Sequence, residues 1–313
     1  MPEGRGGFIN NFLKQSRRDK THEVLITPHC GLRLVWGPKS NIMYNFNGKL
    51  SETTPPIMGI LNVTEDSFYD GGKYRTEEAV LNRAEQILSE GGDIIDIGAM
   101  STRPNALEIS EEEEISRIVA AVQLIRKTYP EAILSIDTYR ASVSEAAVEA
   151  GADMINDISG GTFDPDMIPT VGKLQVPYCL MHTPAKPAVM QQHTDYKDIL
   201  GEMLQFFGRQ IEKLHQHSVH DIIVDPGFGF GKTLEQNYFL MKNLEVFHEL
   251  GYPLLVGISR KTMIYKLLGT TPDQALNGTT VLNTVALMKG TAILRVHDVK
   301  EAVEVRKIVS CML

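Results

Sequence analysis

Residues 132–158, AILSIDTYRASVSEAAVEAGADMINDI, read as one strand, helix and strand in succession. The apolar run 132–136 stops at Asp137, a helix is expected from Ser142 to Ala150, and a second run, 153–158, carries Asn156 and Asp157. Near-continuous runs of Ile, Val and Leu suit strands buried on both faces, as in parallel sheets covered by crossover helices. The rhythm continues outward in both directions. Further runs lie at 57–61, 93–97, 177–181, 221–225, 253–258 and 292–296, making eight. Helices are expected at 77–90, 111–129, 196–217, 233–250, 279–289 and 299–309. Thr76, with Glu77 and Glu78 behind it, opens the first of these and Gly91-Gly92 closes it. Ser110 opens the second ahead of four glutamates that suit the positive end of a helix.

Eight alternations match a (β/α)8 TIM barrel, an α/β fold; a doubly wound sheet is the competing arrangement. The polar residues favour the barrel. The runs end in Asn62, in Gly98 leading to Ser101-Thr102-Arg103, in Asp137, Asn156-Asp157, His182, Asp225, Ser259-Arg260-Lys261, and in Arg295 and His297. A barrel gathers all eight ends on one face, whereas an open sheet strings them along an edge, too far apart for one small ligand.

Composition narrows the function. The 313 residues carry a formal net charge of −8, which leaves no excess positive charge for nonspecific nucleic-acid binding or for attachment to an anionic membrane. A local anion site stays open. The cysteines Cys30, Cys179 and Cys311 are odd in number and widely spaced, against both a disulfide framework and a cysteine zinc site and in favour of a reduced cytoplasm. No run is long enough to span a bilayer, and the N-terminus lacks the apolar core of a signal peptide. Residues 1–42 hold Arg5, Lys14, Arg17, Arg18, Lys20, Arg33 and Lys39 against Glu3, Asp19 and Glu23. They read as a poorly ordered N-terminal extension to a barrel spanning 43–313, with Met43 a candidate alternative start.

Three groups of residues carry chemistry. Asp137 and Asp225 each close an apolar strand and should sit partly desolvated in the barrel mouth. They suit an acid–base pair, metal ligation, or acceptance of paired N–H donors from a planar heterocycle; Asn156, with both a donor and an acceptor, favours the heterocycle. Capping the next helix is the structural alternative for Asp137. The loop Asp225-Pro-Gly-Phe-Gly-Phe-Gly-Lys-Thr233 has the wrong glycine spacing for a phosphate loop. It reads as a flexible segment bearing Phe228 and Phe230, able to let a flat ligand approach. Arg295, His297 and Lys261 bring cations or nitrogen donors to one rim, which implies an anionic ligand such as phosphate. His215, His217 and His220 read as solvated surface, and His182 and His193 form no spaced metal motif.

From about Ile57 onward the chain resembles the dihydropteroate synthases. The resemblance is carried, in order, by Gly59 to Gly72, Asp96 to Pro104, Ser135 to Thr138, Ile155 to Ile158, Leu180 to His182, Asp225 to Lys232, Gly257 to Lys261 and Arg295 to Val299. It implies a barrel enzyme condensing 6-hydroxymethyl-7,8-dihydropterin diphosphate with 4-aminobenzoate to 7,8-dihydropteroate and pyrophosphate. Asp137, Asn156 and Asp225 would bind the pterin edge, with Lys261, Met181, Thr102 and Arg295 also on the pterin diphosphate. Arg295 and His297 would hold the diphosphate, helped by Mg2+ on Asn62. Phe68, Thr102, Pro104, Phe230 and Ser259 would form the aminobenzoate pocket, while Asp70 and Arg103 order the two loops that close over it and keep water out. The family usually has Pro at Glu65 and Gly-Glu at Ala99-Met100. A homodimer formed through helices late in the barrel is also implied. A pterin-dependent methyltransferase barrel would share the pterin anchors, but would need neither the aminobenzoate loops nor the Arg295–His297 pair. A catalytically weak pterin-binding paralogue is favoured only by Glu65 and Met100.

Overall fold

The computed structural model describes residues 54–63, 73–99 and 109–312. The extension 1–42 and the loop residues Glu65, Phe68, Asp70, Met100, Thr102, Arg103 and Pro104 lie outside the described residues. Among the described residues there are eight strands: β1 (Ile57–Asn62), β2 (Ile94–Gly98), β3 (Ile133–Asp137), β4 (Met154–Asp157), β5 (Tyr178–Met181), β6 (Ile222–Asp225), β7 (Leu255–Val256) and β8 (Ile293–Val296). The helices among the described residues are α1 (Lys73–Ser89), α2 (Glu111–Thr128), α3 (Ala141–Glu149), α4 (Met167–Leu174), α5 (Ile199–Gln216), α6 (Leu234–Lys242), α7 (Thr262–Leu268), α8 (Leu276–Met288) and α9 (Val299–Ser310).

All pairings are parallel, in the order β6-β5-β4-β3-β2-β1-β8-β7. The two ends of that series meet through a parallel bridge from Val224 to Leu254, and the Val224 amide donates to the Pro253 carbonyl at 2.9 Å. The sheet therefore closes into a (β/α)8 barrel, and the doubly wound alternative is excluded. Among the described residues no helix is long and apolar enough to cross a membrane.

Strand alternation sorts the barrel into layers. Met58, Ile94, Ile133, Met154, Cys179, Ile223, Leu255 and Ile293, one from each strand, form a separate buried apolar cluster inside the barrel. Their neighbours Ile57, Ile95, Leu134, Ile155, Leu180, Val224, Val256 and Leu294 belong to the larger core that packs the outer face of the sheet against the helices. Two residues further along each strand, toward its C-terminal end, the inward positions turn polar: Asp96, Ser135, Asn156, Asp225 and Arg295, alongside Ile60 and Met181.

Several helix boundaries differ from expectation. Ser110 does cap α2, its hydroxyl accepting from the Glu113 amide at 3.2 Å. The first helix begins at Lys73 and not after Thr76, and α5 begins at Ile199, capped by Asp198. The helix expected over 233–250 breaks at Asn243, whose side chain donates to the Phe239 carbonyl at 2.8 Å and diverts the chain into a 3-10 turn over Leu244–Leu250. Helix α4 has no counterpart in the sequence reading because Pro169 and Gly172 hide it, and α7 because seven residues are too few to show a period.

Candidate active site

The polar layer is organised around Arg295 on β8. Its Nε donates to Asp96 Oδ2 at 2.6 Å and its Nη2 donates to Asp137 Oδ2 at 2.6 Å, so acids on β2 and β3 clamp one guanidinium from across the barrel. Asn156 Nδ2 on β4 donates to the same Asp96 oxygen at 3.2 Å. Asp225, at the end of β6, accepts from the Gly227 amide at 2.7 Å. Lys261 lies over the Phe230 ring, 4.6 Å from its centroid, and donates to the Phe228 carbonyl at 2.5 Å. Met181 packs in a small cluster with Tyr139 and Ile158, against which Phe163 and Phe230 rest. The predicted anchors Asp137, Asn156, Met181, Asp225, Lys261 and Arg295 thus converge at one end of the barrel.

The electrostatics follow from placing charge in a poorly solvated mouth. Burial pushes the Asp137 carboxyl up to about 7, although Arg295 pulls the other way. Burial also raises Asp225, opposed by Lys261, and lowers Lys261 to about 8, opposed by Asp225. For Arg295 burial disfavours the charge, but Asp96 and Asp137 outweigh it and hold the guanidinium protonated. Burial, with Arg295 next, takes His297 down to about 4, leaving a neutral imidazole. Ser259 Oγ accepts the His297 amide at 3.1 Å and lies 3.1 Å from His297 Nδ1. The hydroxyl has two lone pairs and one proton, so it can accept the amide and share a further hydrogen bond with Nδ1 in either direction. Arg83 of α1 fixes this strand end by donating to the Ile60 and His297 carbonyls at 3.1 and 2.7 Å.

Three expectations need correction, and the capping alternative for Asp137 falls. Asp137 does not cap a helix: the N-cap of α3 is Arg140, and the Asp137 carboxylate is bound to Arg295. Asp157, adjacent to Asn156, points out of the barrel and accepts from the Tyr178 hydroxyl at 2.5 Å and the Ser159 hydroxyl at 2.9 Å. Phe228 is fully buried in the outer core, so only Phe230 of the loop pair faces the mouth. The loop after β6 is also not loose. Lys232, itself buried, donates to the Gly227 and Phe230 carbonyls at 2.9 Å each and lies 3.2 Å from His182 Nδ1. His215, in contrast, behaves as read, exposed and bonded to the Tyr252 hydroxyl at 2.8 Å.

Two residues of the site escaped the sequence reading. Asp96 lies inside an apolar run and not at its end, and the signal was a charge at every-second spacing between Ile94 and Gly98. Lys232 was set aside with the failed phosphate-loop pattern. Glu114, also buried, accepts from Thr138 and Arg140 at 2.7 Å each and fastens the segment that follows Asp137.

Among the described residues no cluster of three or more His, Cys, Asp or Glu side chains is placed to hold a metal by itself. Asn62 Oδ1 and Asp137 Oδ2 nevertheless flank Gly98 closely: a Cβ built on that glycine would lie 3.8 Å from the first and 3.7 Å from the second. A glycine keeps that corner open beside two hard oxygen donors. Mg2+ commonly takes only one or two protein oxygens and completes its shell with water and phosphate, so these residues fit it.

Acceptors on β3, β4 and β6 face two held cations at one end of the barrel, an arrangement suited to an anionic ligand that also carries N–H donors. Residues 58–297 match the family described as pterin binding enzyme. The chain is 42% identical to the dihydropteroate synthase of Synechocystis sp., over 82% of this chain and 89% of that protein. It superposes with a TM-score of 0.79 on the Yersinia pestis dihydropteroate synthase solved with a sulfonamide drug complex, at 41% identity over 84% of this chain and 96% of that one. The Clostridium difficile dihydropteroate synthase solved in the presence of pteroic acid gives a TM-score of 0.77 and 37% identity, over 83% and 97% of the two chains. The chain belongs to the dihydropteroate synthase family of pterin-binding enzymes.

Proposed function

We propose that this chain carries out the dihydropteroate synthase reaction, joining 6-hydroxymethyl-7,8-dihydropterin diphosphate to 4-aminobenzoate with release of pyrophosphate. The observation that carries this is the convergence of Asp137, Asn156, Asp225, Lys261 and Arg295 on one barrel end, in a chain this similar to known synthases.

In this reading the Asp225 carboxylate and the Asn156 amide oxygen accept from the amino and ring N–H edge of the pterin, with Asp137 beside them. Met181 packs against the ring, and Lys261 and Arg295 complement its acceptors and its negative charge. The neutral His297 imidazole would offer a ring N–H to the diphosphate without adding a charge that burial would penalise. Asn62, with Asp137 nearby, would hold Mg2+, which when bound neutralises charge on the diphosphate. The C–O bond between the pterin methylene and the diphosphate breaks, and its electron pair departs on pyrophosphate. The aniline nitrogen forms the new C–N bond and sheds a proton to solvent. Phe230 and Ser259 would meet the aminobenzoate ring and carboxylate in this reading; Phe68, Asp70, Thr102, Arg103 and Pro104, outside the described residues, would complete that pocket.

The same reading includes a homodimer. Its support is the apolar surface of Phe239 on α6, Leu267 and Leu268 on α7, and Val281 and Met288 on α8, all exposed in the single chain; light scattering that returned the mass of one chain would overturn it. A cytoplasmic location is supported by the free thiols Cys179 and Cys311.

The test is pyrophosphate release from the full chain given the pterin diphosphate and Mg2+, with and without 4-aminobenzoate, beside an Asp225→Asn variant. Release that depends on 4-aminobenzoate and falls at least about a hundredfold in the variant is expected, since the pterin edge loses a charged acceptor. Tight pterin binding with no release would replace the synthase by a binding paralogue.

A further inference from the structure

Asp96 is fully buried on β2, and no role on the pterin edge has been given to it. An ionised carboxylate at that depth is costly and persists only when it is paired. Its pairing is asymmetric. Oδ2 accepts from Arg295 Nε at 2.6 Å and from Asn156 Nδ2 at 3.2 Å, while Oδ1 has no hydrogen-bond partner among the described residues. One oxygen atom therefore reaches two ligand-binding side chains, on β8 and on β4, from β2, the strand midway between them.

Each contact removes a specific freedom. Arg295 is held at two of its nitrogens, by Asp96 at Nε and by Asp137 at Nη2, and two hydrogen bonds in a fork fix the plane of the guanidinium. With Asp137 alone it could swing about that single bond. The amide of Asn156 has nearly the same shape when its oxygen and nitrogen exchange places, so packing cannot choose between the two orientations. Donation to Asp96 chooses: Nδ2 turns inward to the acid, and the amide oxygen is left for a ligand. Ser135, paired in register with Asp96 on the neighbouring β3, lies at the same depth, and its hydroxyl has no partner among the described residues, so it does neither job.

We propose that Asp96 is a positioning residue for pterin recognition, its single buried oxygen setting both the guanidinium plane of Arg295 and the amide orientation of Asn156 before substrate arrives. The assignment deepens the proposed function and rests on the pterin reading of those two side chains. Asp96 touches no reacting atom; it acts through its partners.

The experiment uses the full chain with Asp96→Asn, which keeps the shape but removes the charge and leaves one neutral carbonyl oxygen, a weaker acceptor, to hold both Arg295 and Asn156. The KM for pterin diphosphate should rise at least about tenfold while the KM for 4-aminobenzoate stays within about twofold, and Ser135→Ala should change neither. In an Asn156→Ala background the effect of Asp96→Asn should shrink, since one of its two routes is gone; effects that multiply in full would overturn the proposal. An unchanged pterin KM would also overturn it. A second measurement needs no substrate and leaves Asp96 in place. In the ligand-free wild type, the Arg295 Nε–H signal, assigned by its loss in Arg295→Lys, should exchange slowly with solvent; exchange as fast as that of surface arginines would overturn the proposal. Should the wild type fail to bind pterin diphosphate, the proposed function falls, and the Arg295 signal still decides the positioning.

Discussion

His297 shows how far a single side chain can be read from its surroundings. Buried beside Arg295 and bonded to Ser259, it is driven down to about 4 from an ordinary 6.5. A histidine whose folded value lies below its unfolded one contributes stability that is fully present above about pH 6.5 and is lost as the pH falls through about 4. The imidazole signal of His297 should therefore titrate near 4 by NMR. Urea unfolding should show stability dropping less between pH 7 and 5 in His297→Asn than in the wild type; an equal drop would contradict the neutral assignment. At this scale the sequence was legible where a polar residue ended an apolar run, as at Asp137 and Asp225. It misled at Asp157, because two polar residues in a row leave the inward one undefined until strand alternation is known, and it missed Asp96, a charge set within a run.

At the scale of elements, the segment between β6 and α6 is a rigid shelf. Gly227 has φ +68°, and a Cβ there would fall on the His182 carbonyl oxygen, which is backbone and cannot move aside. Lys232 laces the same segment from beneath through two carbonyls. Gly227→Ala should therefore cost roughly 2 kcal/mol or more in urea unfolding, since strain and clash act together, and pterin affinity should fall with it because Asp225 loses the Gly227 amide. A stability change within about 0.5 kcal/mol, the usual range for a neutral surface substitution, would mean that the segment is looser than its contacts imply. Helices were legible where caps and length agreed, as at Ser110. They were not where an asparagine side chain competes for a helical carbonyl, at Asn243, or where proline and glycine sit inside a short helix, in α4.

For the whole molecule, eight apolar runs fixed the strand number, and their polar ends fixed closure, because only a barrel brings Asn62, Asp137, Asp225 and Arg295 together. Strand β7 has only two residues in the sheet, yet it completes the circle through Leu254. What the sequence concealed was depth: which inward residues form the floor and which form the lining. The eight-residue apolar ring, with Met58 and Cys179 among it, is that floor. A vessel sealed at its base has a single opening, so traffic through it is last in, first out. The pterin, proposed to rest against the lower lining, has to arrive before 4-aminobenzoate and cannot depart past it. In calorimetry 4-aminobenzoate alone should give little heat, and substantial heat once pterin and pyrophosphate are in place; equal heats in the two titrations would mean that its site is complete without the pterin beneath it.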